Sequence, residues 1–246
     1  MSKKTKSFDE AVENIATEES ATDVVTATAT SQALATPVGL GSDMVGEIEQ
    51  SDISTPRLAV VQKVGELSEE FQPGTILLNK RVILAGPSEP CAITVVNARK
   101  YYMENLPFGS ETRPRVFTTK SEVEDAELTL DYNFETGEKA TAKSVLDCLV
   151  LVTAPEGADA PEFNVTFDGV RYAVAQWSIA SPSAYNAAGK TLLSARTMYL
   201  SAFPEQEWAL TATKMKFGSN MVYVPEAKQT KRNTKEFVQW ASTLLN

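Results

Sequence analysis

Residues 163–178 read FNVTFDGVRYAVAQWS, and no other stretch limits the fold so tightly. Phe163, Val165 and Phe167 alternate into Asp168-Gly169, and Val170, Tyr172 and Val174 alternate out of it. Asp-Gly accepts positive φ at both turn positions, so a two-residue turn can match the strand twist. The period of two then demands a sheet with one buried face. The same signals recur along the chain. GTILLNKRVILAG offers a strand or hairpin, CAITVVNARKYY a long strand, and LTLDYNFETGEKA an alternating run before a Thr-Gly turn. SVLDCLVLVTA is apolar nearly throughout, as a doubly buried strand would be, and EWALTATKMKFGSNMVYVP is a second hairpin turning near Gly218.

Two helices interrupt the strands, at about 182–203 and about 234–245. Ser181 is the N-cap and Pro182 the first helical residue of the first. Lys190, Ser194, Thr197 and Ser201 share its polar face, Leu192, Ala195, Tyr199 and Phe203 lie opposite, and Pro204 stops it. In the second, Asn233 and Glu236 have capping-box spacing, and Phe237, Trp240, Ala241 and Leu244 form the buried stripe. The pattern predicts a mainly β domain with two helices over residues 51–246, an OB-fold-like elaborated β-barrel, with an α+β split sheet as the alternative.

Charge is unevenly spread. Residues 1–55 carry ten acids and three lysines, whereas the rest, with 22 acids and 20 bases, is close to neutral. Residues 1–50 hold no aromatic beyond Phe8 and no sustained period, which predicts a disordered acidic N-terminal arm able to dock replication or recombination proteins. No apolar run is long enough for a membrane span, and no signal peptide is evident, so the expected compartment is the cytoplasm. Cys91 and Cys148 sit in strand-like runs and read as reduced core thiols.

Histidine is absent. That excludes Ser-His-Asp and Cys-His catalysis and any histidine-bearing zinc site, and two cysteines cannot make a four-cysteine one. Gly189-Lys190-Thr191 matches the end of a Walker A motif, but Ala184 stands where its first glycine belongs and the triplet falls inside a helix. Glu69-Glu70 and the Glu122, Glu124, Asp125 group read as solvated surface. Neither a catalytic residue nor a cofactor is expected.

What remains is NARKYYMENLPFGSETRPRVF, residues 97–117, which gathers cations and rings in an acidic chain. Cations that track phosphates beside rings that stack on bases are what single-strand binding needs. In a regular strand Arg99 and Tyr101 share the face of Ile93 and Val95, with Lys100 and Tyr102 opposite. Arg113, Arg115 and Phe117 follow on a Pro/Gly loop. Further cations lie in separate segments: Lys80 and Arg81 between apolar halves, Arg196 on the first helix, Lys214 and Lys216 with Phe217 and Tyr223 in the last hairpin, and Lys228, Lys231 and Arg232 after it.

Three stretches resemble a loose group of bacteriophage single-stranded-DNA-binding or replication-associated proteins. They are DISTPRLAVVQKVGELSEEFQPGTILLNK, the aromatic-rich RKYYMENLPF, and YAVAQWSIASPSAYNAAGKTLLSARTMYL followed by a hairpin ending in YVPEAKQTK. The resemblance spans roughly residues 52–235 and rests on layout. It implies an OB-like fold, host cytoplasm, and sequence-independent binding of single-stranded DNA, with RNA and a homo-oligomer both left open. One departure stands out: many single-strand binders end in an acidic tail, whereas this chain ends in the apolar FVQWASTLLN. If the basic-aromatic segment is instead a protein–protein hot spot, the chain is a phage virion or assembly protein.

Overall fold

The computed structural model describes residues 55–107, 109–130, 138–198, 201–217 and 220–244. All of them belong to one of two units of the chain, Leu34–Asn246. The expected disordered arm, residues 1–50, lies outside the described residues.

The elements follow in order β1 (Leu58–Val60), α1 (Leu67–Glu70), β2 (Ile76–Leu78), β3 (Val82–Ala85), β4 (Cys91–Glu104), β5 (Val116–Phe117), α2 (Lys120–Asp125), β6 (Ala142–Thr153), β7 (Val165–Phe167) and β8 (Val170–Ile179). Next come α3 (Pro182–Ala184), a π-helical turn (Tyr185–Gly189), α4 (Lys190–Met198), a 3-10 turn (Phe203–Glu205), β9 (Gln206–Phe217), β10 (Asn220–Arg232) and α5 (Lys235–Thr243).

The fold is mainly β with few helices, as expected. Its strands form a three-stranded sheet, β1-β2-β3, and a seven-stranded antiparallel sheet, β10-β9-β4-β6-β8-β7, with β5 added beside β4. Neither sheet closes into a barrel. The Asp168-Gly169 hairpin forms as read, with φ of 47° and 75° at the two turn residues. Asn79 and Lys80 also take positive φ, turning β2 into β3. LTLDYNFETGEKA is no strand where it is described: residues 128–130 and 138–140 are irregular, and the rest lies outside the described residues.

The main core lies on one face of the large sheet, where Ile93, Val95, Cys148, Val150, Trp177 and Leu210 meet Leu58, Ile76 and Leu78 of the small sheet and Leu192 of α4. Both cysteines are buried and free, and burial pushes each thiol up to about 12. A second cluster lies on the opposite face, where Phe237 and Ala241 of α5 pack on Val96 and Leu151. There Phe167, Tyr172, Phe237 and Trp240 form one ring cluster, with centroids 5.0–5.7 Å apart.

Two helix ends differ from the residue pattern. The helix from Ser181 is capped as expected, its hydroxyl accepting from Ala184 N at 3.2 Å. Its description ends at Met198, and extended backbone at Ala202 separates it from the 3-10 turn that contains Pro204. Tyr199 lies outside the described residues, and Ser201, expected on the polar face, is buried. The C-terminal helix is capped by Thr234, which accepts from Phe237 N at 3.2 Å. Asn233 donates instead to Thr94 Oγ1 and to the Pro204 carbonyl, fastening the helix entrance to β4. A threonine one residue nearer the helix caps equally well and leaves the asparagine free for this longer reach.

Edge strand β10 is blunted. The Gln62 side chain meets both backbone groups of Tyr223, donating to its carbonyl at 2.8 Å and accepting from its amide at 3.0 Å. Pro225 has no amide hydrogen, and Lys228 and Lys231 charge the far end. The Tyr223 ring packs on Gly74, whose φ is +95° and where an added Cβ would stand 2.7 Å from the ring.

Candidate nucleic-acid interface

A one-residue bulge in β4 sets the site. Val95 pairs with Val150 of β6, but Asn97 pairs with Leu149, so Val96 is the extra residue. Side chains alternate along a strand, and one inserted residue exchanges the faces of everything after it. Lys100 and Tyr102, paired with Leu146 and Ser144, therefore share the face of Ile93 and Val95. Arg99 and Tyr101 lie on the α5 side. This reverses the assignment expected for a regular strand.

Beyond the bulge the edge of β4 is open. On that side β9 pairs only with Cys91–Thr94, and β5 joins only at Tyr102 and Met103. Glu104 N donates to the Arg115 carbonyl, so by alternation Lys100 and Ala98 also turn their backbone groups toward this edge. The Ala98 amide is met by the Asn97 side chain at 2.8 Å. The 3-10 turn that leads into β9 lies against β4 and forms one rim of the notch. The other rim is β5.

Cations stand beside rings on this notch. Lys100 Nζ is 5.0 Å from the Tyr102 ring centroid and 5.9 Å from that of Tyr185. On one rim the Arg115 guanidinium is 5.6 Å from Phe117, which is cross-strand from Tyr102. On the other, Arg196 is 5.9 Å from Phe203 and donates to the Ser201 carbonyl at 3.0 Å. Partial burial lowers the pKa of the Lys100 ammonium, but the hydroxyls of Tyr102 and Tyr185 more than offset it, so the net shift is upward. On the α5 face, burial and the neighbouring Asp147 carboxylate push Tyr101 up to about 12. Arg99 is cross-strand from the same Asp147.

Two acids sit among these cations. Asp147 is one, and Glu104 is the other, holding Arg115 through Nε at 3.0 Å and Nη2 at 3.2 Å. The Arg115 hydrogen bonds hold the Glu104 carboxyl below its usual range. A depressed folded pKa adds stability above the unfolded value, and this is lost as pH falls through the folded one. Glu104→Gln is therefore expected to melt below wild type at neutral pH, with the gap closing below about pH 4, the ordinary carboxylate range. Melting curves across pH check this.

No protein-family model, curated protein or solved structure matches this chain. The site must therefore be read from its own geometry. That geometry brings together Arg99, Lys100, Tyr101, Tyr102, Arg115 and Phe117 on or beside adjoining strands, with Arg196 against Phe203 of the bordering turn. Arg113 is exposed on the loop entering β5.

Other expected residues lie elsewhere. Lys80 and Arg81 are in the turn between β2 and β3 of the small sheet, where Arg81 Nη2 is 2.6 Å from Glu162. Burial raises the pKa of Glu162, but its own backbone amide and Arg81 reverse the shift to a net lowering. Lys214 and Lys216 lie past the Leu210–Cys91 pair, where β9 runs beyond the start of β4. Cys91 and Lys100 alone are roughly 30 Å apart along the strand, at about 3.3 Å per residue. Phe217 ends β9, Tyr223 faces Lys214, and its ring is used against Gly74. Lys228, Lys231 and Arg232 lie on β10, beside the stretch of β9 that borders β4, and Lys231 is paired to Glu207 at 3.2 Å.

Tyr185, Phe203 and Val116 belong to the site or its bordering elements and were missed, and Met198 ends the helix that carries Arg196. Val116 is 59% and Met198 75% exposed, large apolar surfaces of the kind a base or ring can cover. Tyr185 had a signal: Gly189 follows one helical turn later, and a Cβ there would stand 3.0 Å from the Tyr185 ring. Among the described residues no group of three or more His, Cys, Asp or Glu could hold a metal, and no helix is long and apolar enough to cross a membrane.

Proposed function

We propose that this chain binds single-stranded nucleic acid, without sequence preference and without catalysis, at the notch in β4. The observation that carries the reading is the clustering of cation–ring contacts: those of Lys100 and Arg115 involve β4 and β5, and that of Arg196 falls on Phe203, in the turn that lies against β4. Lysine and arginine release counterions from phosphates, and Tyr102 and Phe117 offer rings on which bases stack. The resemblance to phage replication-associated proteins agrees with this role, in phage DNA replication or recombination within the host cytoplasm.

The test is a gel shift of single-stranded against duplex oligonucleotide at two salt concentrations. Preference for the single strand and steep loss of binding with salt are expected. Arg113 has no hydrogen-bond or ion-pair partner among the described residues, so Arg113→Ala should remove one phosphate contact. The slope of log affinity against log salt should then flatten by about 0.7. Salt-independent binding of a protein partner at this segment, with no affinity for oligonucleotide, would favour the assembly-protein reading instead.

A further inference from the structure

We propose that the bound strand folds over the open edge of β4 and touches both faces of the sheet, with Lys100 and Tyr102 on one and Arg99 and Tyr101 on the other. This rests on the nucleic-acid reading above and adds a second half to the site. Strand alternation makes it possible, sending four consecutive side chains to opposite faces of one edge, and the bulge fixes which pair takes which face. Each face then carries one cation and one ring. Arg99 and Lys100 are exposed, and both tyrosines are partly so.

Between the two faces the edge itself is bare. No strand pairs with β4 there from Val95 to Tyr101, and the Lys100 backbone groups have no partner across the notch among the described residues. An unmet amide hydrogen beside an ammonium suits a phosphate crossing the edge. The α5 face also carries acids, Asp147 cross-strand from Arg99 and Glu207 cross-strand from Thr94, the latter paired to Lys231. Asp147 accepts a hydrogen bond from Tyr101 and is half-buried, whereas Arg99 beside it is exposed. A phosphate on this face therefore meets Arg99 before the carboxylate.

The geometry also selects the ligand. A duplex is stiff over about 150 base pairs and cannot bend around the thickness of one sheet. An unpaired strand can. The ligand class is thus a flexible polynucleotide long enough to reach both faces.

Anisotropy titrations with labelled oligo-dT of about 4 and about 16 nucleotides, the range small β domains cover, test this. At about 50 mM salt, Arg99→Ala should weaken the longer oligomer about fivefold to tenfold, the worth of one phosphate contact, and leave the shorter one within about twofold. Lys100→Ala should weaken both lengths, and Arg99→Lys should restore the longer one. If Arg99→Ala leaves the longer oligomer unaffected, or weakens both lengths equally, the strand does not fold over the edge. Failure of the wild-type protein to bind either length would instead remove the nucleic-acid reading itself. Arg99 is exposed, so loss of fold does not confuse the result.

Discussion

Tyr102→Ala is expected to weaken single-strand binding about 5- to 150-fold, the range set by about 1–3 kcal/mol per stacked base. Tyr102 stands where the cations and rings of the notch meet. Its ring lies under the Lys100 ammonium, its strand neighbour is Phe117, and it opens the pairing of β4 with β5. Removing the ring takes away a stacking surface and also the group that steadies Lys100. The side chain is only partly buried, so the melting temperature should move little. Titration of oligo-dT beside a thermal melt separates the two effects. Undiminished binding would show that bases stack elsewhere.

Leu146→Ala should do the reverse, with its main effect on stability. Leu146 is fully buried and pairs with Lys100 on one side and Ile179 on the other. It is the floor beneath the Lys100 position. Truncating such a leucine costs about 2–5 kcal/mol, because the lost contacts leave a cavity that the surroundings only partly fill. A domain of about 150–250 residues loses about 2–4 °C per kcal/mol, so a fall of about 4–20 °C is expected by calorimetry. A shift below this range would mean that the sheet collapses readily around the gap, contrary to the packing described.

The two hairpins and the long strand β6, buried on one face and partly buried on the other, were legible in the sequence because their signals are local. Alternation and turn chemistry act over a few residues, and Asp168-Gly169 needed nothing distant to define it. The Ser181 cap and the stripe of α5 were legible for the same reason. The open form of the sheets was not, since closure depends on which distant strands pair. Nor was the cap at Thr234, where Asn233 and Thr234 both qualify and only a contact with Thr94, far away in the chain, decides between them.

The site was half legible. Arg99 to Tyr102 and Arg115 to Phe117 are close in sequence and stay close across one short ladder. Lys214, Lys216 and Tyr223 carry the same residue types, yet the direction of β9 takes them off the far end of the sheet. Composition cannot distinguish a strand that runs toward the notch from one that runs away. Arg196 was named as a site residue from the sequence, but its partner Phe203 was not, since that contact needs the turn before β9 to lie against β4. Arg115 shows a further limit: it reads as a free cation until Glu104 is seen to hold it with two hydrogen bonds.

The bulge at Val96 has one more consequence. Which side of the sheet each ring occupies is a matter of counting, not of chemistry, since the same letters in the same order would trade sides if one were dropped anywhere between Val95 and Ala98. Replacing residues one at a time could never expose this dependence. For this strand, length is itself inherited information, and a lineage that gained or lost a single codon there would exchange its two surfaces while keeping every recognisable residue.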